Sequence, residues 1–218
     1  MAIITFNSPQ VNATVSYNWS VLSPFVGDLD IGRVSTDAPG VGPGSGINTI
    51  TTSIAPRPIF QPALGQIVQA WEPTLGYGEF MYLGVPTSTA VPLGTLVTWM
   101  TGTNANYIVA VCPTTAKSAA PVAVSVSNTT GATGGITSNS SSVQYAWFQV
   151  AGLAQTLKTA VIHSLNAKLF VSGTAGRVMV TSASGTNIIG ARTASSNSAT
   201  ISCALCWYDR ANVMGNIT

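Results

Sequence analysis

The sequence predicts an all-β protein, an antiparallel β-barrel or β-sandwich carrying a long, extended Gly/Pro-rich N-terminal arm. From residue 68 onwards, short β-branched and aromatic runs are separated by Gly, Pro, Asn and Ser, the spacing of an all-β sandwich or barrel. Within Val122-Ala123-Val124-Ser125-Val126-Ser127 large and small side chains alternate strictly, so Val122, Val124 and Val126 share one face, which is expected to be buried. The N-terminal stretch has a different texture. Pro9, Pro24, Pro39, Pro43, Pro56, Pro58 and Pro62 recur there among many glycines, as in loop and extended backbone.

These textures divide the chain of 218 residues into an arm, 1–65, and a β domain, 66–218. Regular structure should be sparse in the arm. The run Ala38-Pro39-Gly40-Val41-Gly42-Pro43-Gly44 reads as a linker or turn cluster. The segment Ala55-Pro56-Arg57-Pro58-Ile59-Phe60-Gln61-Pro62 should be extended, because each residue before a proline is pushed out of the helical region. Yet Ile3, Phe6, Val15, Tyr17, Trp19, Phe25 and Phe60 are too apolar for a solvated tail, so contacts outside the compact domain are expected to cover them.

About ten strands are expected in the domain, at 68–72, 78–83, 95–100, 107–111, 121–127, 144–151, 157–162, 167–171, 177–181 and 199–209. Leu153, Leu157, Val161 and Leu165 fall near helical spacing, but the Thr and Val content and the neighbouring glycines favour strands. Between Ser127 and Ser142 a Thr/Gly/Asn/Ser-rich stretch reads as a mobile, exposed hairpin tip. No repeat of fixed period argues for a solenoid or propeller.

Charged residues make up 6% of the chain, against about 25% in an ordinary soluble protein. With a hydrophobic fraction of 46% the chain should fold, since disorder requires low hydrophobicity and high net charge. A formal charge of +2, from scattered residues, makes no phosphate-tracking surface, so nucleic acid is not an expected partner. So few charges do little to keep copies apart, which hints at permanent assembly. No stretch reaches the roughly 18 apolar residues of a membrane helix. The opening Met1-Ala2-Ile3-Ile4-Thr5 lacks the regions of a signal peptide, so use without Sec export is expected. Three cysteines argue against a disulfide framework and suit a reducing cytoplasm.

Chemistry is hard to assemble from one histidine and six acids. A Ser-His-Asp arrangement would need His163 beside a serine and one of Asp28, Asp30, Asp37 or Asp209, and no Gly-x-Ser-x-Gly elbow marks such a serine. His163 is therefore expected to sit at a strand end, hydrogen-bonded or in solvent. Cys203-Ala204-Leu205-Cys206 matches C-x-x-C, but it lies in a strand-like run, where residues three apart face opposite sides and cannot share a metal. Both are expected to be buried small hydrophobes, with Cys112 alone elsewhere. Asp28-Leu29-Asp30 lacks the later acids of a calcium loop. Glu72 and Glu79 carry no specific glycosidase signal. No catalytic residue, metal or cofactor is expected.

The aromatics say more. Most of those in the domain should be core, given the area each buries. Interfaces also concentrate aromatic and Arg residues, so Trp19, Phe25, Arg57, Phe60 and Trp71, in or beside the arm, are candidates for partner contact, with ordinary core packing as the competing reading.

Several strand phrases carry a resemblance: Gly78-Glu79-Phe80-Met81-Tyr82-Leu83-Gly84, Gly94-Thr95-Leu96-Val97-Thr98-Trp99, Ala120-Pro121-Val122-Ala123-Val124, Gln144-Tyr145-Ala146-Trp147-Phe148-Gln149-Val150, Thr174-Ala175-Gly176-Arg177-Val178 and Ile188-Ile189-Gly190-Ala191-Arg192-Thr193. Over roughly residues 76–208 this series resembles the small β proteins that decorate tailed-phage heads, called cement proteins. The resemblance implies a non-enzymatic virion protein, made in the host cytoplasm, that binds the outer capsid surface, commonly as a homotrimer, and bridges subunits of the major capsid protein. The long arm departs from the compact members. A head or tail fibre base or host-binding virion protein is the alternative, since it would also be all-β, low in charge and trimeric.

Overall fold

The computed structural model describes residues 3–10, 13–21, 64–72, 74–86, 90–99, 107–114, 120–126, 135–136, 144–182 and 186–213. Every element among them is a strand, so none is a helix long and apolar enough to cross a membrane. In chain order they are β1 (Ile3–Gln10), β2 (Ala13–Val21), β3 (Ile67–Glu72), β4 (Gly76–Val85), β5 (Val91–Pro92), β6 (Leu96–Trp99), β7 (Val109–Val111), β8 (Val122–Ser125), β9 (Gly135–Ile136), β10 (Gln144–Leu157), β11 (Lys168–Val171), β12 (Val178–Met179), β13 (Asn187–Thr193) and β14 (Cys203–Val213). All strand pairs are antiparallel, and the large sheet curls into a half-barrel, in keeping with the expected fold class.

The long strand β10 organises this sheet. One edge pairs with β4 from Gln144 to Gly152. Its other edge pairs first with β8 at Phe148 and Gln149, then with β14 from Ala151 to Leu157. Two paths leave from that change of partner. The first, β4-β10-β8-β6-β7, returns to β4 through a bridge between Gly84 and Ile108. There the Gly84 N–H donates to the Tyr107 carbonyl at 2.9 Å. The second, β10-β14-β13-β11-β12, returns to the end of β10 through a Lys158–Val178 bridge. Such returns leave few open edges, which is how curled sheets avoid pairing with foreign strands.

Gly152 makes the continuity of β10 possible. Its φ of 96° is open to glycine alone at low cost, and a Cβ there would meet the Tyr77 carbonyl and the Gly78 Cα. The expected break after residue 151 is thus absent, and the strand runs on to Leu157. The strand expected at 157–162 is correspondingly not one. After Leu157 the chain crosses in a loop to β11.

Three apolar clusters flank these strands. Leu83, Val85, Val97, Trp99, Val109, Ala123, Ala146 and Phe148 pack together on the β4-β10-β8-β6-β7 path. Leu96, Val122, Val124, Leu169, Val178, Ile188, Cys206 and Tyr208 form a second cluster. Val68, Ala70, Phe80, Tyr82, Val126 and Trp147 form a third, with Tyr82 and Trp147 ring centroids 5.1 Å apart. Strand β8 stands between clusters, so all four of its residues are buried. The expectation of a single buried face at 122–126 is corrected accordingly. Ala123 is small because it faces one cluster while Val122 and Val124 fill another, and Val126 turns into the third.

Strand β13 had not been expected. Within the arm, β1 and β2 form a hairpin, and β2 joins β3 at Ser20–Trp71 and Val21–Ala70. The linker at 38–46 and the extended segment at 55–62 lie outside the described residues. Of the expected tip between residues 127 and 142, β9 is described, paired with β5.

Candidate interaction surface and buried cationic cluster

The antiparallel register of β3 and β4 places Trp71 directly across from Tyr77. Residues directly opposite in an antiparallel pair share a face and pack on each other. Both remain open to solvent, Trp71 at 38% and Tyr77 at 66%. Ile67, on the same strand as Trp71 and an even number of residues away, is also exposed. Between these apolar groups lies a polar row. Gln69 is opposite Glu79, and its amide donates to the Glu79 carboxylate at 3.2 Å. Arg210 of β14 donates from Nε to the same carboxylate at 2.9 Å. That hydrogen bond is the main reason the Glu79 carboxyl titrates below its ordinary value. The Arg210–Glu79 contact ties the end of β14 across to β4.

Of the residues expected to meet a partner, Trp71 is thus placed on an exposed face. Trp19 lies on β2, next to the Ser20 that pairs with Trp71, and its side chain is not described. Phe25, Arg57 and Phe60 lie outside the described residues. Tyr77 falls among the domain aromatics, most of which were expected to be core, and it is exposed instead. Pro73 and Gly76, residue types common in turns and lying between Trp71 and Tyr77 in the sequence, were the signal available.

A different cluster lies beneath the loop after β10. Lys158 is completely buried, and its ammonium donates to the carbonyls of Val161 at 2.7 Å, Ser198 at 2.9 Å and Thr159 at 3.3 Å. Burial pushes its pKa below the ordinary lysine value. His163 is also fully buried, and its backbone exchanges hydrogen bonds with Asn197 at 3.0 and 2.9 Å. Neither ring nitrogen has a hydrogen-bond partner among the described residues. The expected strand-end histidine, bonded or solvated, is therefore corrected. Burial first and the Lys158 charge second hold the imidazole at about 4, so the ring is neutral near pH 7.

Cys203 and Cys206 lie within the unbroken β14, so their side chains leave opposite faces. Cys206 joins the cluster containing Tyr208, whose hydroxyl is 3.0 Å from Thr156 Oγ1. Burial raises the thiol of Cys203, and pushes those of Cys206 and Cys112 up to about 12, which makes all three poor nucleophiles at neutral pH. Among the described residues no three His, Cys, Asp or Glu side chains converge as metal ligands. The arrangement offers a contact surface and a caged cation; Glu79, held ionised by Arg210, is poorly suited to give up a proton.

Comparison with protein-family models gives no match, and comparison with curated proteins gives none either.

Proposed function

We propose that the chain is a non-enzymatic structural virion protein that binds the outer surface of a tailed-phage capsid, as a homotrimer, and stabilises the shell by bridging subunits of the major capsid protein. The exposed Trp71–Tyr77 pair carries this reading. Together the two rings offer on the order of 200 Å² to a partner, a gross gain of about 5 kcal/mol on burial. Large exposed aromatics beside an ion pair are what a docking surface presents. The strand phrases that resemble head decoration proteins support the same reading, as does the surface with little charge to keep copies apart. A protein of this kind needs no reactive group and no cofactor. It adds stability by binding the assembled shell better than free subunits, which is linkage by mass action.

The test is co-sedimentation of the full-length protein with expanded empty heads and, separately, with tails, beside analytical ultracentrifugation of the free protein. Binding to heads that raises their melting temperature, and its loss in Trp71→Ala/Tyr77→Ala, is the expected result. Binding to tails alone would replace this reading with that of a fibre or host-binding protein. No gain in shell stability, or a free and bound protein that is strictly monomeric, would count against the bridging trimer.

A further inference from the structure

We propose that Lys168, Arg192 and Trp207, with Ile162 and Leu165 beside them, form a docking surface for an acidic segment of a protein partner. The inference rests on the shell-binding reading and supplies the chemistry of the surface that would be met. Lys168 of β11 is the register partner of Arg192 of β13, and Arg192 is in turn the partner of Trp207 of β14. Residues directly opposite share a face, so the three make one row across three strands. All are exposed, Trp207 at 49%.

Two like charges set directly opposite each other destabilise a sheet. The chain has only eight Lys and Arg residues in all, and two of them are set side by side here, where the β11–β13 register shifts. Neither forms an ion pair among the described residues, where the Arg210–Glu79 pair is found instead. Arg192 donates to the neutral Asn166 Oδ1 at 3.3 Å, which orients the guanidinium without compensating its charge. The described acid of β14, Asp209, is exposed on the same face as Trp207 but forms no ion pair with Lys168 or Arg192. The row therefore presents two cations that no ion pair among the described residues engages, next to an open indole.

The same Arg192–Asn166 bond fastens the loop that carries Ile162 and Leu165, exposed at 69% and 64%. That loop has no acid or exposed cation of its own at 159–167. It is held from beneath by the Lys158 ammonium and the His163–Asn197 bridge, so the apolar tips are displayed on a fixed support. A partner segment matching this face carries carboxylates, which pair bidentately with a guanidinium, interspersed with apolar side chains. Nucleic acid fits less well, because two cations release too few counterions for useful affinity.

The experiment uses the full-length protein and two probes, expanded heads and a peptide of alternating Glu and Leu, with single-stranded DNA of equal charge as competitor. Wild-type protein should bind heads less tightly as salt rises. Lys168→Glu/Arg192→Glu should weaken binding to heads and peptide at least about tenfold while keeping the wild-type circular-dichroism spectrum and a cooperative melt, and Arg192→Gln and Trp207→Ala should each weaken it by less. If heads bind wild type and the charge-reversed protein equally, this surface is wrong while the shell-binding reading stands. If heads are not bound but the peptide is, and reversal abolishes that, the surface stands while the shell-binding reading falls. Preference for DNA over peptide, or binding to neither probe, overturns the surface.

Discussion

Burial, reinforced by the neighbouring ammonium of Lys158, keeps the His163 imidazole neutral. Both side chains are removed from solvent in one loop, and the charge of the first adds to burial in holding the second at about 4. The unfolded chain binds a proton at His163 near 6.5 and the folded chain does not until about 4. Between those values the unfolded state holds more protons, so stability is full above the upper value and falls as pH drops through the window, levelling below the lower one. The loss should be on the order of 2–3 kcal/mol. Urea unfolding at about pH 7 and about pH 4 should show it, and His163→Leu should flatten the dependence in this window.

Lys158→Met removes the donor to three carbonyls and should destabilise the fold by about 1–3 kcal/mol. It also removes the charge beside His163. Since His163 is the chain's single histidine, its imidazole proton resonance can be followed without ambiguity, and its midpoint should move up from about 4 towards 6.5. An unmoved midpoint would mean that burial alone sets it.

Gly152→Ala should be among the more damaging single substitutions. Its φ of 96° is costly for any residue with a Cβ, and that atom would press on the backbone of Tyr77 and Gly78. A cost of roughly 2–4 kcal/mol is expected in chemical denaturation, with loss of amide protection along both β4 and β14.

Arg210 has a φ of 42° and makes an exposed ion pair, so two effects compete there. An exposed pair is worth at most about 1 kcal/mol, and relief of a left-handed backbone is worth a similar amount. Arg210→Ala loses the pair and keeps the strain, whereas Arg210→Gly loses both. The glycine variant should therefore be the more stable of the two in thermal melts. The reverse order would show that the backbone at 210 is not strained, whereas a glycine variant less stable than wild type would show that the ion pair outweighs the strain.

The all-β class and most strands of the domain were legible because period-two alternation and turn residues are local signals. Partner choice is not local. Gly152 was read as a break since nothing within β10 reveals that the backbone of β4 approaches it from outside. The two-sided burial of β8 was hidden for a related reason: Ala123 and Ser125 look like solvent-side residues until two clusters are seen to enclose them. Trp71 could be picked out as a candidate for partner contact from its type and place, and the structure leaves it exposed. The Lys168–Arg192–Trp207 row could not, because it depends on the register of β11, β13 and β14. A buried lysine without a carboxylate runs against the usual placement of that residue, and only the loop's carbonyls account for it.

The sharing of β10 between two returning paths also sets an order of events during synthesis. The strands of the first path, β4, β6, β7, β8 and β10, have all been made once residue 157 is complete. The second path lacks its central partner until β14 at Cys203–Val213 emerges, and β10 must wait with one edge half open. Contacts so distant in sequence are slow to form, as loop closure must precede any gain from pairing. The nascent chain thus has a natural pause point between two closures. Its exposed interval ends when Asp209 and Trp207 settle against Ala151 and Leu153.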